Sequence, residues 1–152
     1  VTAANSSSIS DGASALILAS ESAVEQKRVK PIAKIIGHAT NSRHPSEFTL
    51  APIGAIEKLL TNIGWDKDDV DLFEINEAFA MVTMLAIKEL GLDHDKVNIN
   101  GGACAQGHPI GSSGSRIIVT LMYALMKKNK KRGVAALCIG GGEATAIAIE
   151  ML

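Results

Sequence analysis

The stretch Asn100–Arg116, NGGACAQGHPIGSSGSR, is a run of small residues that carries one histidine and lies directly before a strongly apolar segment. Glycine permits backbone conformations and close approaches that a residue with a Cβ resists, so we interpret the stretch as a loop shaped around a site. His108 stands between Gly107 and Pro109, and a proline restricts the residue before it. Such a loop aims the imidazole in one direction. A lone histidine in a turn more often caps a helix or packs than acts in a functional site. The residues around it must therefore distinguish these two roles.

The composition is that of a folded globular protein. The 152 residues are 47% hydrophobic and 20% charged, which predicts one domain with a real core. A net charge of -1 gives no electrostatic case for nucleic acid or a membrane surface as partner. The apolar runs are too short to cross a bilayer and no signal peptide is visible, so a soluble cytoplasmic protein is expected. Because the sequence opens at Val1 within a polar motif, we expect it to be part of a longer protein.

The two cysteines, Cys104 and Cys138, have no CxxC spacing and no dense cysteine framework around them. This pattern favours reduced thiols over a disulfide scaffold. Each thiol is either a small buried hydrophobe or a working group.

Apolar periodicity predicts strands that alternate with helices. Strands are predicted at 15–19, 32–39, 69–75, 97–100, 134–139 and 144–151, and helices at 20–28, from 52 to 63, from NEAFA to 90 and at 112–128. The last of these helices is apolar nearly all round, which predicts burial on every side. The alternation indicates an α/β fold, in which a mixed sheet carries helices on both faces.

Three loops at strand ends carry the candidate chemistry. The first presents Asn76 and Glu77 before a helix, the second carries His108, and the third is Cys138–Gly142, CIGGG. The ends of strands are where α/β sheets usually place their sites. Taken singly, each has a structural explanation: Asn76 as a helix N-cap, the histidine as a turn residue, the thiol as core and GGG as a hairpin.

Together these groups predict one kind of reaction. A thiol and an imidazole can exchange protons close to neutral pH after modest changes of environment. Backbone N–H groups and a side-chain amide can stabilise an oxyanion. This set suits the making or breaking of a carbon–carbon bond beside a thioester. Acyl transfer of that kind also needs a covalent nucleophile, and the chain has no third cysteine to supply it.

Four motifs, which together span the chain from end to end, resemble landmarks of the carboxy-terminal half of the thiolases, especially the acetyl-CoA acetyltransferases. They are VTAANSSSISDGA at 1–13, NEAFA at 76–80, GGACAQGHPIGSSGSR at 101–116 and CIGGGEATAIAIE at 138–150. The resemblance implies that residues 1–152 are a thiolase carboxy-terminal domain, a three-layer α/β/α half with a mixed five-stranded sheet. The amino-terminal half, which carries the nucleophilic cysteine, and the loop domain would lie outside this chain.

The resemblance also implies catalytic roles. His108 would activate the absent cysteine and help to hold the thioester oxygen of the enolate. Cys138 would remove or return the proton on the α-carbon of acetyl-CoA. Asn76 would position a water at that oxyanion site, and the amide of Gly140 would serve the second oxyanion hole. The pantetheine channel would be lined by Ala3, Ser6, Ser7, Ile9, Ala78 and Phe79.

The implied reaction is the condensation of two acetyl-CoA to acetoacetyl-CoA and CoA, or the reverse thiolysis. CoA thioesters are then substrates, and no cofactor or metal is expected. The expected partners are the amino-terminal half and further copies in a dimer or tetramer, and this chain alone is expected to be inactive. Two alternatives stay open, a 3-ketoacyl-CoA thiolase of β-oxidation and a non-catalytic CoA-binding domain. A ketoacyl synthase is disfavoured, since its second catalytic group is typically a histidine where CIGGG places a thiol.

The apolar helix after His108 would lie between the two halves of such a fold. Without the other half it would be partly bare. We therefore expect the chain alone to self-associate through Ile117–Met126 or to be poorly soluble.

Overall fold

A mixed sheet of four strands organises the computed structural model, which describes residues 1–152. The strands are β1 (Ala33–Ser42), β2 (Leu72–Ile75), β3 (Arg132–Cys138) and β4 (Glu143–Met151), and their order across the sheet is β1-β4-β3-β2. β2 and β3 are parallel, whereas β4 is antiparallel to both β3 and β1. The carboxyl ends of β2 and β3 therefore lie at the same end of the sheet.

Helices cover both faces of this sheet, as the sequence predicted. The helices are α1 (Glu21–Lys27), α2 (Ala51–Ile63), α3 (Ala80–Leu90), α4 (Ala103–Gln106) and α5 (Ile110–Lys128). Short 3-10 turns cover Ala3–Asn5, Pro45–Leu50, Lys67–Asp69 and His94–Lys96. The larger core lies under α2 and α3, and the smaller one lies under α5. No helix combines the length and the apolar character that a membrane crossing requires.

The alternation of side chains along β4 explains the two cores. Ala146 and Ala148 face α2, while Ile149 faces α5, because successive side chains of a strand point to opposite faces. Small alanines allow α2 to approach closely, and the apolar stripe of α2 includes Ile56 and Leu59, both fully buried. Burial of each such side chain contributes about 1.5–3 kcal/mol.

The prediction of a five-stranded sheet was wrong in one strand. Val97 makes a single bridge to Phe73, and no strand follows it. The reason is Asn98, which has φ 49° and turns the chain out of the extended conformation. Its side chain bonds the N–H and C=O of Ile75 at 2.8 Å each. The edge of β2 is thus sealed by a side-chain amide instead of a fifth strand.

The strand predicted at 15–19 is also absent. This segment has no regular structure and pairs with no strand. Ile17 is fully exposed and Leu18 is 74% exposed. The apolar pattern there meets no partner within residues 1–152.

Helix α5 is partly bare, as expected for this chain without the other half of such a fold. Leu121 and Leu125 are fully buried against the sheet, but Tyr123 is 59% exposed and Met126 is 47% exposed. One face of this apolar helix therefore lies open.

Candidate active site

The carboxyl ends of the parallel pair place Asn76 and Cys138 at the same end of the sheet. Asn76 directly follows β2, and its N–H donates to the carbonyl of Ala136 at 2.9 Å. Cys138 is the last residue of β3, two positions beyond Ala136. Both residues therefore lie at the edge where the sequence predicted the site.

His108 reaches the same edge from the loop before α5. Its Nε2 lies 3.3 Å from Nδ2 of Asn76, and its Nδ1 lies 2.6 Å from Oγ of Ser113. The Ser113 hydroxyl donates to the carbonyl of Pro109 at 3.1 Å. Since the hydroxyl has one proton, it accepts from Nδ1–H. Nε2 then keeps its lone pair and accepts from the Asn76 amide, so the imidazole presents a base at the site.

The surroundings of His108 favour this neutral form. Burial, followed by the positive charge of Arg116, lowers the pKa of the imidazole. The Arg116 guanidinium also donates from Nη1 to the carbonyl of Gly107 at 2.9 Å, which fixes the backbone just before the histidine. A neighbouring positive charge disfavours the protonated imidazole. The resting imidazole is therefore neutral, and the lone pair on its Nε2 is available to accept a proton.

Cys138 has the opposite character. The side chain is partly buried, and burial raises the pKa of its thiol. The group is therefore protonated at neutral pH and can supply a proton. A thiol donor and an imidazole acceptor at one edge make a pair for acid and base catalysis.

The glycine turn after Cys138 exposes backbone donors. The N–H groups of Gly140 and Gly141 donate to no group in the chain. The turn is closed by the Gly142 N–H, which donates to the carbonyl of Ile139 at 3.0 Å, and the Arg43 N–H donates to the Gly142 carbonyl at 2.9 Å. Gly142 has φ 104° and lies against the backbone of Arg43, so a side chain is excluded there. Fixed, unpaired N–H groups of this kind can hold an oxyanion.

The amino-terminal segment runs between the Asn76 loop and the His108 loop. Ser7 donates twice to the carbonyl of Ala78, from N–H at 3.2 Å and from Oγ at 3.0 Å. Ser6 forms a bridge with Phe79, and Ile9 forms one with His108. Five of the six residues expected to line the pantetheine channel therefore lie in or next to the Asn76 loop, or next to His108. The sixth, Ala3, is exposed in the first 3-10 turn and has no such contact.

Three residues near the site escaped the prediction from sequence, and a fourth, Glu77, was named in its loop without a role. Ser113 orients the imidazole, and Arg116 holds the loop before it. Glu77 accepts from the Cys104 N–H at 3.1 Å and from Asn98 Nδ2 at 3.2 Å, which fixes the glycine-rich loop. Glu74 lies buried in β2 beneath them. A charged residue within an apolar strand was the one visible signal for Glu74.

The candidate residues do not form a metal-binding cluster. No group of three or more His, Cys, Asp or Glu side chains is arranged to hold a metal ion. A cleft of about 550 Å³ is lined by Arg43 and by residues of β1 and α2, and by none of the candidate residues. The candidate groups instead form an open edge.

Comparison with known proteins places this geometry in a family. The family model "Thiolase, C-terminal domain" matches residues 29–151. A probable acetyl-CoA acetyltransferase of Dictyostelium discoideum is 55% identical over 152 residues, which is 100% of this chain and 37% of that protein. A cytosolic acetyl-CoA acetyltransferase of Mus musculus is 49% identical over 150 residues, 99% of this chain and 38% of that protein.

A solved structure agrees with the sequence comparisons. The crystal structure of human mitochondrial 3-ketoacyl-CoA thiolase in complex with CoA superposes with a TM-score of 0.97 at 43% identity, over 100% of this chain and 38% of that one. The chain thus spans less than two fifths of the length of these proteins. It belongs to the thiolase family and contains the carboxy-terminal domain of that family.

Proposed function

We propose that this chain is the carboxy-terminal part of an acetyl-CoA acetyltransferase. The complete protein would condense two acetyl-CoA to acetoacetyl-CoA and CoA, or run the reverse thiolysis. The observation that carries the proposal is the His108 imidazole, whose Nδ1 is bonded to Ser113 and whose Nε2 faces the amide of Asn76. A pure binding domain would not need a base oriented in this way.

In the first half-reaction, His108 takes the proton of a cysteine supplied by the amino-terminal half. The thiolate attacks the acetyl-CoA carbonyl, and a tetrahedral oxyanion forms. The Gly140 N–H, with the amide of the incoming cysteine, stabilises that charge. CoA leaves, and the acetyl group remains on the cysteine.

In the second half-reaction, Cys138, which became a thiolate by giving its proton to the departing CoA, removes a proton from the α-carbon of the second acetyl-CoA. The enolate oxygen is stabilised by His108 and by a water held on Asn76. The enolate carbon then attacks the acetyl-enzyme, which forms the new carbon–carbon bond. For thiolysis the same groups act in the reverse order, and Cys138 returns the proton.

CoA thioesters would reach the site along the amino-terminal segment. The pantetheine would pass Ala3, Ser6, Ser7, Ile9, Ala78 and Phe79. The adjacency of five of these residues to His108 or the Asn76 loop supports that path. No cofactor is proposed, and the complete protein would act in the cytoplasm as a homodimer or homotetramer.

The test is turnover by the complete polypeptide, in which an amino-terminal half precedes this chain. We expect thiolysis of acetoacetyl-CoA and condensation of acetyl-CoA, and no activity from residues 1–152 alone. Absence of both reactions in the complete, folded protein would refute the proposal.

The human structural relative favours one alternative, a 3-ketoacyl-CoA thiolase. A panel of 3-ketoacyl-CoA substrates of increasing chain length separates the two. The preferred proposal expects the highest kcat/KM with acetoacetyl-CoA. Calorimetry of CoA with residues 1–152 tests the other alternative, a CoA-binding domain. Weak or absent binding is expected, because half of the channel would be missing.

A further inference from the structure

Glu74 is a buried carboxyl group for which the proposed reaction has no use. It lies within β2 and is 4% exposed. Alternation along the strand directs it, like Leu72, to the face covered by α5. Its carboxyl group forms no hydrogen bond with the chain, and charges at a distance are its only electrostatic neighbours. A buried polar group without a partner is costly, so a reason for its presence is required.

A small cleft of about 10 Å³ adjoins this carboxyl group. The cleft lies behind the site and is lined by Glu74, Asn76, Gly101, Gly102, Arg116 and Thr120 together with a few neighbours. A second buried group there also lacks a partner, because Oδ1 of Asn76 accepts no hydrogen bond. A volume of this size, lined by polar groups, accommodates about one water molecule.

We propose that this cleft binds one water molecule that joins Glu74, Arg116 and Asn76, and that Glu74 is thereby a positioning residue for the catalytic amide. The water can accept from the Arg116 guanidinium and donate to Oδ1 of Asn76. With Oδ1 held on that side, Nδ2 is directed to Nε2 of His108, 3.3 Å away. The assignment of a catalytic effect rests on the proposed function, whereas the water site rests on geometry alone.

The electrostatics of the cleft agree with this arrangement. Burial, with a further contribution from the negative charge of Glu77, raises the pKa of Glu74 to about 8, although Arg116 opposes the shift. Near neutral pH the carboxyl group is protonated and can donate a hydrogen bond to the water. Glu77 and Arg116 are the charged groups that face it from the Asn76 loop and from α5.

Three substitutions test the proposal. Glu74→Gln keeps the size and the hydrogen-bonding capacity, Glu74→Met keeps the bulk alone, and Leu72→Met is a control on the same face of β2. In the complete protein, Glu74→Met should lower kcat about 10- to 100-fold and leave KM within about twofold, since a misdirected group costs rate more than binding. Glu74→Gln should stay within about threefold of the wild type, and Leu72→Met should leave both constants unchanged.

A high-resolution crystal structure of the complete protein gives a second readout, independent of activity. A water should occupy the cleft in the wild type and in Glu74→Gln, and Glu74→Met should lose it and rotate the Asn76 amide. An empty cleft in the wild type would overturn the inference whatever the kinetics. So would a Glu74→Met protein with unchanged kcat. An inactive wild-type complete protein would refute the proposed function, and the crystal structures alone would then decide the water site.

Discussion

At the scale of single residues, burial shifts the pKa values of the two groups proposed to transfer protons in opposite directions. It lowers the pKa of His108, with Arg116 adding to the effect, and it raises the pKa of the Cys138 thiol. Burial always disfavours the charged form, and that form is the acid for imidazole and the base for a thiol. One physical cause therefore makes the first group a proton acceptor and the second a proton donor at neutral pH.

The role of Cys138 can be tested against the other thiol of the chain. Cys138→Ser should lower the condensation rate of the complete protein about 10²- to 10⁴-fold, because a serine hydroxyl loses its proton far less readily than a thiol and so does not form the anion that takes the α-proton. Cys104→Ser is the matched control, since Cys104 is also partly buried but lies in α4. It should stay within about twofold of the wild type. Equal losses in both variants would contradict the assignment.

The buried carboxyl group of Glu74 should make stability depend on pH. Its pKa of about 8 in the folded state lies above the ordinary value of 4.5. Between these values the folded state binds more protons than the unfolded state. The free energy of unfolding therefore falls as pH rises from about 4.5 to about 8. Glu74→Gln removes that dependence. The free energy of unfolding of Glu74→Gln minus that of the wild type should be on the order of 2–4 kcal/mol larger at pH 8 than at pH 5. Urea unfolding at both pH values measures this difference. A difference that is constant with pH would contradict the assignment of a protonated, buried Glu74.

At the scale of elements, Asp71 joins the beginning of β2 to the turn before β3. One carboxylate oxygen accepts from the N–H groups of Lys131 and Arg132, both at 2.9 Å, and Lys130 lies 3.5 Å from the other. Burial raises the pKa of this carboxyl group, but the two N–H donors and Lys130 outweigh it and hold the pKa below the ordinary value. The contribution to stability is thus present above the unfolded pKa of 3.8 and is lost as pH falls through the folded value.

Asp71→Ala should accordingly destabilise the chain by about 1–2 kcal/mol at pH 7, because the N–H groups of Lys131 and Arg132 lose a charged acceptor. Asp68→Ala is the control, since its side chain is 81% exposed and its ion pair with Lys67 lies in water. That variant should unfold at nearly the same temperature as the wild type, because exposed ion pairs contribute little to stability. Thermal unfolding of both variants at pH 7 and pH 3 makes the comparison. A deficit in Asp71→Ala that persists at pH 3 would argue against the carboxylate as its cause.

The elements with long-range apolar periodicity were predictable from sequence, and those that depend on single contacts were not. Helix α2 follows from its stripe and from Gly64, which has φ 69° at its end. The missing fifth strand follows from Asn98, whose side chain takes the place of a backbone partner. No local sequence pattern shows that the Asn98 side chain replaces a strand, because the backbone groups to which it bonds lie in β2. The same limit explains why His108 and Asn76 were found and Ser113 was not, since a serine in a run of serines carries no signal of its partner.

At the scale of the whole molecule, several large apolar side chains are exposed on the surface. Its length is 37% of that of the Dictyostelium discoideum relative. The exposed large apolar residues include Ile9, Ile17, Leu18, Ile110, Tyr123 and Met126, which lie on the amino-terminal segment and on α5. Tyr123 and Met126 are three positions apart and therefore share one face of α5, and exposed apolar side chains grouped on a helix face are usual in an interface and unusual on an isolated surface. This face is therefore expected to associate with another copy when the chain is alone.

Self-association should depend on the open face of α5. Residues 1–152 should form dimers or larger species in sedimentation velocity, with a population that rises with concentration. The double variant Tyr123→Lys and Met126→Lys should weaken association at least about tenfold, because it places two charges in an apolar contact. Met84→Lys is the matched control, since Met84 is 67% exposed on α3, which packs on the opposite face of the sheet. If the wild type stays monomeric at every concentration, or if Met84→Lys disrupts association equally, the open face of α5 does not drive assembly.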